Sequence, residues 1–552
     1  NGLDDDCVAG CDNGWPCCRG TSVPCTTTCA STGMGTCTAG CAIPAPAACT
    51  PPAEICNGLD DDCVLGCDNG WPCCRGATVP CTTVCGSIGS GTCTATCAVP
   101  TAAACTPPAE VCNGLDDDCV GGADNGFPCI LNQTRPCTVG TCTGTETCVG
   151  PTCTWGACSF GAPPTNDTCG GSIPEISGGG TFTGTTCAAV NDYTASCGGA
   201  AASPDVVFRL TLGVRSFVVL DTVGSNYDAV LHLHSSVACD GSSATEVTCD
   251  DNGAGGTPGQ ARIMNAFDAG TYWVILDGAF AGSRGVYALN AFVTPAPAND
   301  TCAGAIDISA GGSFNGSTSF AGDDHMPSCI GMPGGADVYY RFTLAAQSVV
   351  YLDTVDGRAW DTVLQVRSTT CTGTAVGCNN NDCSTLRSRY YGVLAAGTYF
   401  VVVDAPNANE RGEFTLFAQI VPTAPCGPPV PTAMTFNGSY GINTAFTGDD
   451  LTPSCQANNG PDLVRYIPAC GPRTVTLTSC TAGGFLSNTI LYLRVGRCSA
   501  ADTACNDNDA TCAINPWRST LSNVAIPKGL SFVVADGFNN TSGTFTLTLS
   551  GL

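Results

Sequence analysis

Aspartate recurs in a fixed pattern at the start of this chain. Asp4, Asp5, Asp6 and Asp12 return as Asp60, Asp61, Asp62 and Asp68, and again as Asp116, Asp117, Asp118 and Asp124. The first three of each set lie in one heptapeptide, Asn-Gly-Leu-Asp-Asp-Asp-Cys, opening at Asn1, Asn57 and Asn113, and the fourth follows five residues after its cysteine, with Glu54 and Glu110 just ahead of the second and third copies. These are all fourteen acidic residues of positions 1–128, where Arg19 and Arg75 are the only cations. Carboxylates so crowded repel one another unless positive charge sits among them. Short, oxygen-only clusters suit a hard divalent cation, and calcium is the first choice. A solvated acidic turn is the bland alternative, and it does not account for three recurrences at one spacing.

Other chemistry-bearing residues are sparse. The three histidines all lie beyond residue 230. His232 and His234 alternate on a strand and so share a face, but Gln365 and Arg367, then Tyr492 and Arg494, occupy the matching places later in the chain. A position accepting all of these reads as solvent-facing. His325 follows Asp323-Asp324 in a loop. Neither a Gly-x-Ser-x-Gly nor a His-Glu-x-x-His pattern occurs, and no paired acids sit in a recognisable cleft pattern. The chain is not expected to be an enzyme.

The cysteines set the terms on which these residues are held. There are 44 in 552 residues, a density that persists as disulfides only in an oxidising space. Secretion or display on a cell surface follows. Only 12% of residues are charged, yet the net charge is −27 and Lys528 is the single lysine. No basic patch exists to neutralise phosphate, which argues against nucleic acid and anionic membrane surfaces. No apolar run approaches a membrane span, so membrane insertion is not expected. The absence of a signal peptide and initiator Met reads as a mature or excerpted chain.

Residues 1–56 and 57–112 agree at 44 of 56 positions, and a degenerate third copy covers 113–165. In that copy Ala123 replaces Cys67 and Ile130 replaces Cys74. Their joint loss implies the bridges Cys67–Cys74 and Cys11–Cys18, and Cys56–Cys63 and Cys112–Cys119 are expected to clamp the acidic loops. Six cysteines per copy remain, with fifteen pairing patterns open. Cys7 lacks an upstream partner, so either the natural chain extends further back or Cys7 pairs with another molecule. Trp15, Trp71 and Phe127 are the only large apolar anchors, too few to fold such a unit by burial alone; crosslinks and metal must supply the stability. Stacked copies are expected to form a rigid, rod-like arm.

A second repeat follows. Pro204-Asp-Val-Val-Phe-Arg209 returns as Ala336-Asp-Val-Tyr-Tyr-Arg341 and Pro461-Asp-Leu-Val-Arg-Tyr466, and the Ala269-Gly-Thr-Tyr segment returns at Ala396 and, loosely, at Lys528. Many short strands between Gly, Asn and Asp turns predict three antiparallel β-sandwiches at 166–298, 299–425 and 426–552, separated by Pro-rich, semi-rigid joints. The whole is therefore expected to be mostly β: disulfide-rich, metal-stabilised small repeats, then three tandem sandwiches. Spacing suggests Cys169–Cys197, Cys302–Cys329 and Cys426–Cys455 at the domain heads. Cys239–Cys249, Cys371–Cys378 and Cys498–Cys505 would close later turns, and Cys470–Cys480 is extra. Cys187, Cys383 and Cys512 are left over, and at least one is expected to bridge two domains or two chains.

The acidic copies resemble the MopE-type metal-binding repeat of secreted and surface bacterial proteins, on the pattern Cys-Asn-Gly-x-Asp-Asp-Asp-Cys at 56–63 and 112–119; Val64 and Val120 stand where that pattern has Asp. The resemblance and spacing imply calcium ligands Asn57, Asp60, Asp62 and Asp68 with Glu54. The equivalent sets are Asn1, Asp4, Asp6 and Asp12, then Asn113, Asp116, Asp118 and Asp124 with Glu110. Copper, associated with the family's namesake, prefers imidazole or sulfur and finds neither free here. The later domains look like the bacterial pre-peptidase C-terminal domain, carried by Asn166-Asp-Thr-Cys169, Asn299-Asp-Thr-Cys302 and the Ala-Gly-Thr-Tyr strands. That resemblance implies accessory, non-catalytic sandwiches, some calcium-binding, which makes Asp228, Asp250, Asp251 and Asp361 secondary candidates against a reading as turn residues.

Repetition, crosslinking and missing catalytic groups favour an extracellular structural protein, a subunit of a calcium- and disulfide-stabilised filament, appendage or matrix that self-associates as a homopolymer. The alternative is a non-catalytic polysaccharide- or protein-binding module, or the accessory region of a secreted hydrolase. Sequons at Asn132, Asn315, Asn437 and Asn539 allow surface glycan.

Overall fold

The computed structural model describes the chain apart from residues 1–2, 4–13, 200–202, 237–238, 240–242, 331–333, 356–359, 384, 409 and 458–459. It is nearly all β, with 41% strand and 3% helix, and divides into two compact units, Asn1–Ala162 and Pro163–Leu552. No described helix is long and apolar enough to cross a membrane.

The first unit has a core of cystine. Among its described residues, every buried apolar side chain other than Pro44 and Pro100 is a cysteine. Trp15 is 64% exposed and Trp71 is 47% exposed, so they do not act as the interior anchors the sequence suggested. Each repeat carries a short antiparallel hairpin, Ser22–Thr26 with Thr32–Thr36 and Thr78–Thr82 with Ile88–Thr92, while the third has a longer one, Thr134–Val139 with Cys142–Val149. Small residues are required where the hairpins pack. A Cβ on Gly33 would stand 2.2 Å from the Thr50 carbonyl oxygen, and one on Gly89 would meet Thr106 at the same distance.

The bridges inside the repeats are Cys17–Cys37 and Cys25–Cys49, repeated as Cys73–Cys93 and Cys81–Cys105. Cys67–Cys74 is present as the paired loss implied; Cys11 and Cys7 lie outside the described residues. The expected clamps Cys56–Cys63 and Cys112–Cys119 are not formed. Cys56 pairs with Cys97 and Cys112 with Cys153, whereas Cys63 pairs with Cys29 and Cys119 with Cys85 of the preceding repeat. The backbone explains this. Cys63 and Cys119 adopt left-handed φ values of 58° and 60°, and each lies beside the hairpin turn of the repeat before it, where Cys29 N donates to Cys63 Sγ. Cys41, the counterpart of Cys97, is a buried free thiol.

The second unit contains three sandwiches of one topology. In the first, one sheet is ordered Glu246–Asp250, Ala229–Ser235, Gly270–Gly278, Val206–Leu212, and the facing sheet Arg262–Phe267, Ser216–Asp221, Val286–Pro295, Gly180–Thr185. Alternation decides which side chains enter the core. Val206, Phe208, Leu210 and Leu212 point inward against Val218, Leu220 and Leu289, with Leu231 and Leu233 beside them. The second and third sandwiches repeat both sheets and add a short parallel strand at one edge, Ile306–Asp307 and Thr432–Ala433.

His232 and His234 correct the sequence reading. They lie on the outer face of their sheet, yet both are 0% exposed. Loops held by Cys169–Cys239 and Cys197–Cys249 close over that face. Burial, with the neighbouring His234, pushes the His232 imidazole down to about 3.

Bridges within the sandwiches also differ from nearest-neighbour spacing. Cys169–Cys239 and Cys197–Cys249 recur as Cys302–Cys371 and Cys329–Cys378, then as Cys426–Cys498 and Cys455–Cys505. The head loops fold over the strand pair that follows, so partners distant in sequence meet. Cys480 pairs with Cys512 rather than Cys470. Cys383 pairs with Cys470 and joins the second sandwich to the third, an interdomain bridge of the kind expected; Cys187 is disulfide-bonded as well.

The Pro-rich joints do not hold these sandwiches apart. Val349, Tyr351 and Val421 share one buried cluster with Val464, Tyr466 and Phe532. Tyr351 donates to the Ala469 carbonyl (3.0 Å), and Lys528 Nζ lies 2.7 Å from buried Asp353. Between the first and second sandwiches, Arg215, which also pairs with Asp268 of its own domain, reaches Asp300 and Asp324, and Phe320 packs on Phe217 and Phe292.

Candidate metal centres in the acidic repeats

The acidic loop of the second repeat is shaped by carboxylates that accept backbone N–H groups. Glu54 Oε2 accepts from Asp61 N (2.9 Å) and Asp62 N (3.0 Å), and its Oε1 accepts from Asp68 N (3.0 Å). Asp68 Oδ1 accepts from Asn57 N (2.8 Å) and Gly58 N (3.0 Å), and its Oδ2 accepts from Arg75 N (2.5 Å). Burial raises the Asp68 pKa, but the N–H groups of Gly58, Arg75 and Asn57 outweigh it and hold the carboxyl below its usual range. Asn57 closes the turn, accepting from Leu59 N (2.7 Å) and donating to Asp61 Oδ2 (2.6 Å).

The expected ligands separate by position. Asn57 and Asp68 spend their oxygens on the backbone and stand outside the cluster. Glu54, Asp60 and Asp62 converge, with one carboxylate oxygen of each within 4.8 Å of the others, while Glu54 also accepts the three backbone N–H groups above and Asp62 Oδ1 accepts from Val64 N (2.9 Å). Asp60 Oδ1 is buried and has no hydrogen-bond partner. Asn69 Oδ1 in the same loop is also buried and unpartnered, and it was not among the expected ligands. Its signal was present in the repetition, since Asp-Asn-Gly recurs at 12–14, 68–70 and 124–126. Buried oxygens without a donor cost free energy in a folded protein, and a cation satisfies them directly. An all-oxygen set of carboxylates and an amide is calcium chemistry.

The third repeat reproduces this arrangement. Glu110 accepts from Asp117 N, Asp118 N and Asp124 N. Asp124 accepts from Asn113 N, Gly114 N and Leu131 N. Asp116 Oδ1 and Asn125 Oδ1 are the buried, unpartnered oxygens. Asn1, Asp4, Asp6 and Asp12 lie outside the described residues.

Both loops rest on the repeat before them. Ser31 Oγ donates to the Asp61 carbonyl (2.6 Å) beside the Cys29–Cys63 bridge, and Ser87 Oγ donates to the Asp117 carbonyl (2.7 Å) beside Cys85–Cys119. Each cluster thus lies at the joint between two repeats.

In the sandwiches, Asp250 is a turn former, accepting from Gly253 N and Arg262 N. Asp228, Asp251 and Asp361 each keep one buried oxygen without a partner. Deeper in, Asp205 and Asp277 form a buried pair; desolvation, opposed by backbone N–H donors, raises them to about 7 and about 8. Asp337 and Asp404 repeat this pair in the second sandwich, where desolvation again dominates.

No family model matches the chain, and no curated protein matches it. Among solved structures, it is similar to the pre-peptidase C-terminal domain of a Bacillus anthracis collagenase, at 13% identity over 21% of this chain and 94% of that one, with a TM-score of 0.16. Tripeptidyl peptidase 2 is similar at 7% identity over 45% of this chain and 23% of its own length, TM-score 0.17. The M60 catalytic domain of Clostridium perfringens ZmpB with its two CBM51 domains is similar at 10% identity over 39% of this chain and 34% of that one, TM-score 0.11. At such scores no activity or ligand is carried over.

Proposed function

We propose that this is a non-catalytic extracellular structural protein in which calcium locks the joints of a cystine-stapled repeat array, and that its chains self-associate into a filament, appendage or matrix. The observation that carries this reading is the convergence of Glu54, Asp60 and Asp62 in a loop that buries the unpartnered Asp60 Oδ1 and Asn69 Oδ1, with the counterpart oxygens Asp116 Oδ1 and Asn125 Oδ1 also buried and unpartnered in the next repeat. Glu54, Asp60, Asp62 and Asn69 would hold one ion, and Glu110, Asp116, Asp118 and Asn125 the next. Bound calcium supplies the positive charge that lets these carboxylates stay close. The chain does the rest. Asp68 and Asp124 fold each loop, and the bridge to the preceding repeat fastens it, so filling the loop stiffens a joint instead of a single repeat. The sandwiches extend the same covalent logic through Cys383–Cys470.

Calorimetric titration of the oxidised full chain with calcium is expected to show saturable binding to the acidic repeats, weakened by Asp60→Asn and Asp116→Asn. Negative-stain microscopy of the calcium-loaded protein is expected to show regular polymers. Absence of calcium binding removes the joint mechanism, and a strictly monomeric loaded protein removes the assembly.

A further inference from the structure

The structure assigns a second, chemically distinct metal site to the first sandwich: His232, His234 and Glu246 form a pocket for a borderline transition ion, zinc above all. His232 Nδ1 and His234 Nε2 face each other at 2.8 Å, and Glu246 Oε2 stands 3.8 Å from His232 Nδ1. One ligand atom from each lies within 4.8 Å of the other two. Two imidazole nitrogens and one carboxylate oxygen make a zinc donor set, unlike the oxygen-only clusters of the acidic repeats.

Strand geometry builds the site. The one-residue interval places both rings on the same face of Ala229–Ser235, and the neighbouring strand brings Glu246 opposite His234 at a β-bulge. Supporting contacts fix the donors. Glu246 accepts from Ser196 N (3.1 Å) and from Ser196 Oγ. His234 Nδ1 is 3.2 Å from Thr245 Oγ1, a contact that leaves Nε2 facing inward. The Cys197–Cys249 bridge holds the loop carrying Ser196 against the strand opposite His232.

The third sandwich shows what charge this place demands. There Arg494 and Asp502 occupy the register of His234 and Glu246, across the same bulge, and Arg494 Nε lies 2.7 Å from Asp502 Oδ1. A guanidinium neutralises the buried acid. In the first sandwich the acid is kept and the guanidinium is replaced by two imidazoles, so a bound dication takes the place of the missing positive charge. The second sandwich has lost the acid: Ala375 stands opposite Arg367, whose guanidinium turns to the Gly373 carbonyl (2.8 Å) instead.

The test uses the oxidised full chain, stripped with chelator and then kept in excess calcium so that the acidic repeats are filled. Zinc titration is expected to show one tight site, and cobalt(II) is expected to give the visible absorption of a nitrogen-ligated, low-coordinate ion. His232→Gln with His234→Arg copies residues the second sandwich carries at these positions, and Glu246→Gln preserves volume. Each is expected to lower zinc affinity by at least about 100-fold and to abolish the cobalt band, while calcium binding stays unchanged. Wild-type protein that neither takes up zinc nor develops the band overturns the assignment. So does equal uptake by the wild type and both variants.

Discussion

If calcium holds the repeat joints, removing it must loosen the first unit by an amount that mass action sets. The described residues contain two such joints, one at Glu54, Asp60 and Asp62 and the other at Glu110, Asp116 and Asp118. Extracellular calcium modules bind with Kd of about 0.1–1 mM. At a calcium concentration about ten times Kd, each site contributes about 1.4 kcal/mol, and two together about 2.8 kcal/mol. For a unit the length of Asn1–Ala162 this corresponds to a rise in Tm of roughly 6–11 °C. Differential scanning calorimetry with disulfides intact, with calcium or with chelator at constant ionic strength, reads that difference. Asp60→Asn with Asp116→Asn removes one charge per joint, from the acid whose Oδ1 is buried and unpartnered, and most of the increment is expected to vanish. Asp61→Asn is the control, because Asp61 Oδ2 already accepts from Asn57 and lies outside the converging set. A melting temperature indifferent to chelator, or an undiminished increment in the double variant, would refute the reasoning.

Three further outcomes follow from the second unit. Cys383–Cys470 closes a loop spanning 87 residues, so Cys383→Ser with Cys470→Ser is expected to lower the stability of the joined second and third sandwiches by up to about 4–5 kcal/mol in calorimetry, since chain entropy grows with loop length; an unchanged transition contradicts this. Arg215→Met strands Asp300, whose side chain is 1% exposed, and is expected to cost about 3–5 kcal/mol in urea unfolding of the first two sandwiches, with a cost near zero counting against the pairing. Asp205, Asp277, Asp337 and Asp404 all have folded pKa values raised above the usual 3.8. The folded state therefore binds more protons than the unfolded state between about pH 4 and 8, and stability falls as pH rises through that window. Chelated protein is expected to melt lower at about pH 8 than at about pH 5, and a flat or rising profile sinks the idea that these pairs are buried without a counter-charge.

How much of this was legible depends on whether information was local. The two repeat periods, the β class and the convergence of Glu54, Asp60 and Asp62 could be read from residues close in sequence. So could Cys67–Cys74, because its partners vanish together as Ala123 and Ile130. The remaining bridges could not, since partner choice depends on which loops the sheets bring together. Cys169 finds Cys239 because the head loop folds over the outer face of the sheet, a fact of topology that spacing does not carry. The histidines misled for a related reason. Substitution by Gln365, Arg367, Tyr492 and Arg494 looked like solvent exposure, yet disulfide-tied loops bury the face and polar side chains survive there by pairing, as Arg494 does with Asp502. Asn69 carries no local mark of a ligand, since Asn-Gly is a turn signal. The turn is real, but the amide oxygen it buries remains unpartnered.

The phase of the bridges matters more than their number. Had Cys56 closed onto Cys63, each acidic loop would have been a self-contained ring, and an ion bound there would have stabilised only its own repeat. Instead Cys56–Cys97 holds the loop on one side and Cys29–Cys63 on the other, and both bridges tie residues 1–56 to residues 57–112. Ser31 reaches across the same joint to the Asp61 carbonyl, whose N–H donates to Glu54. The residues that would coordinate the ion and those that connect neighbouring repeats are thus the same few positions of chain. Any force that separates two repeats must deform the coordination loop, and any ion that stiffens the loop resists that separation. On the proposed reading, a repeat with almost no apolar core would transmit tension because covalent bonds carry the extension, and a bound ion would set how far the joint can bend.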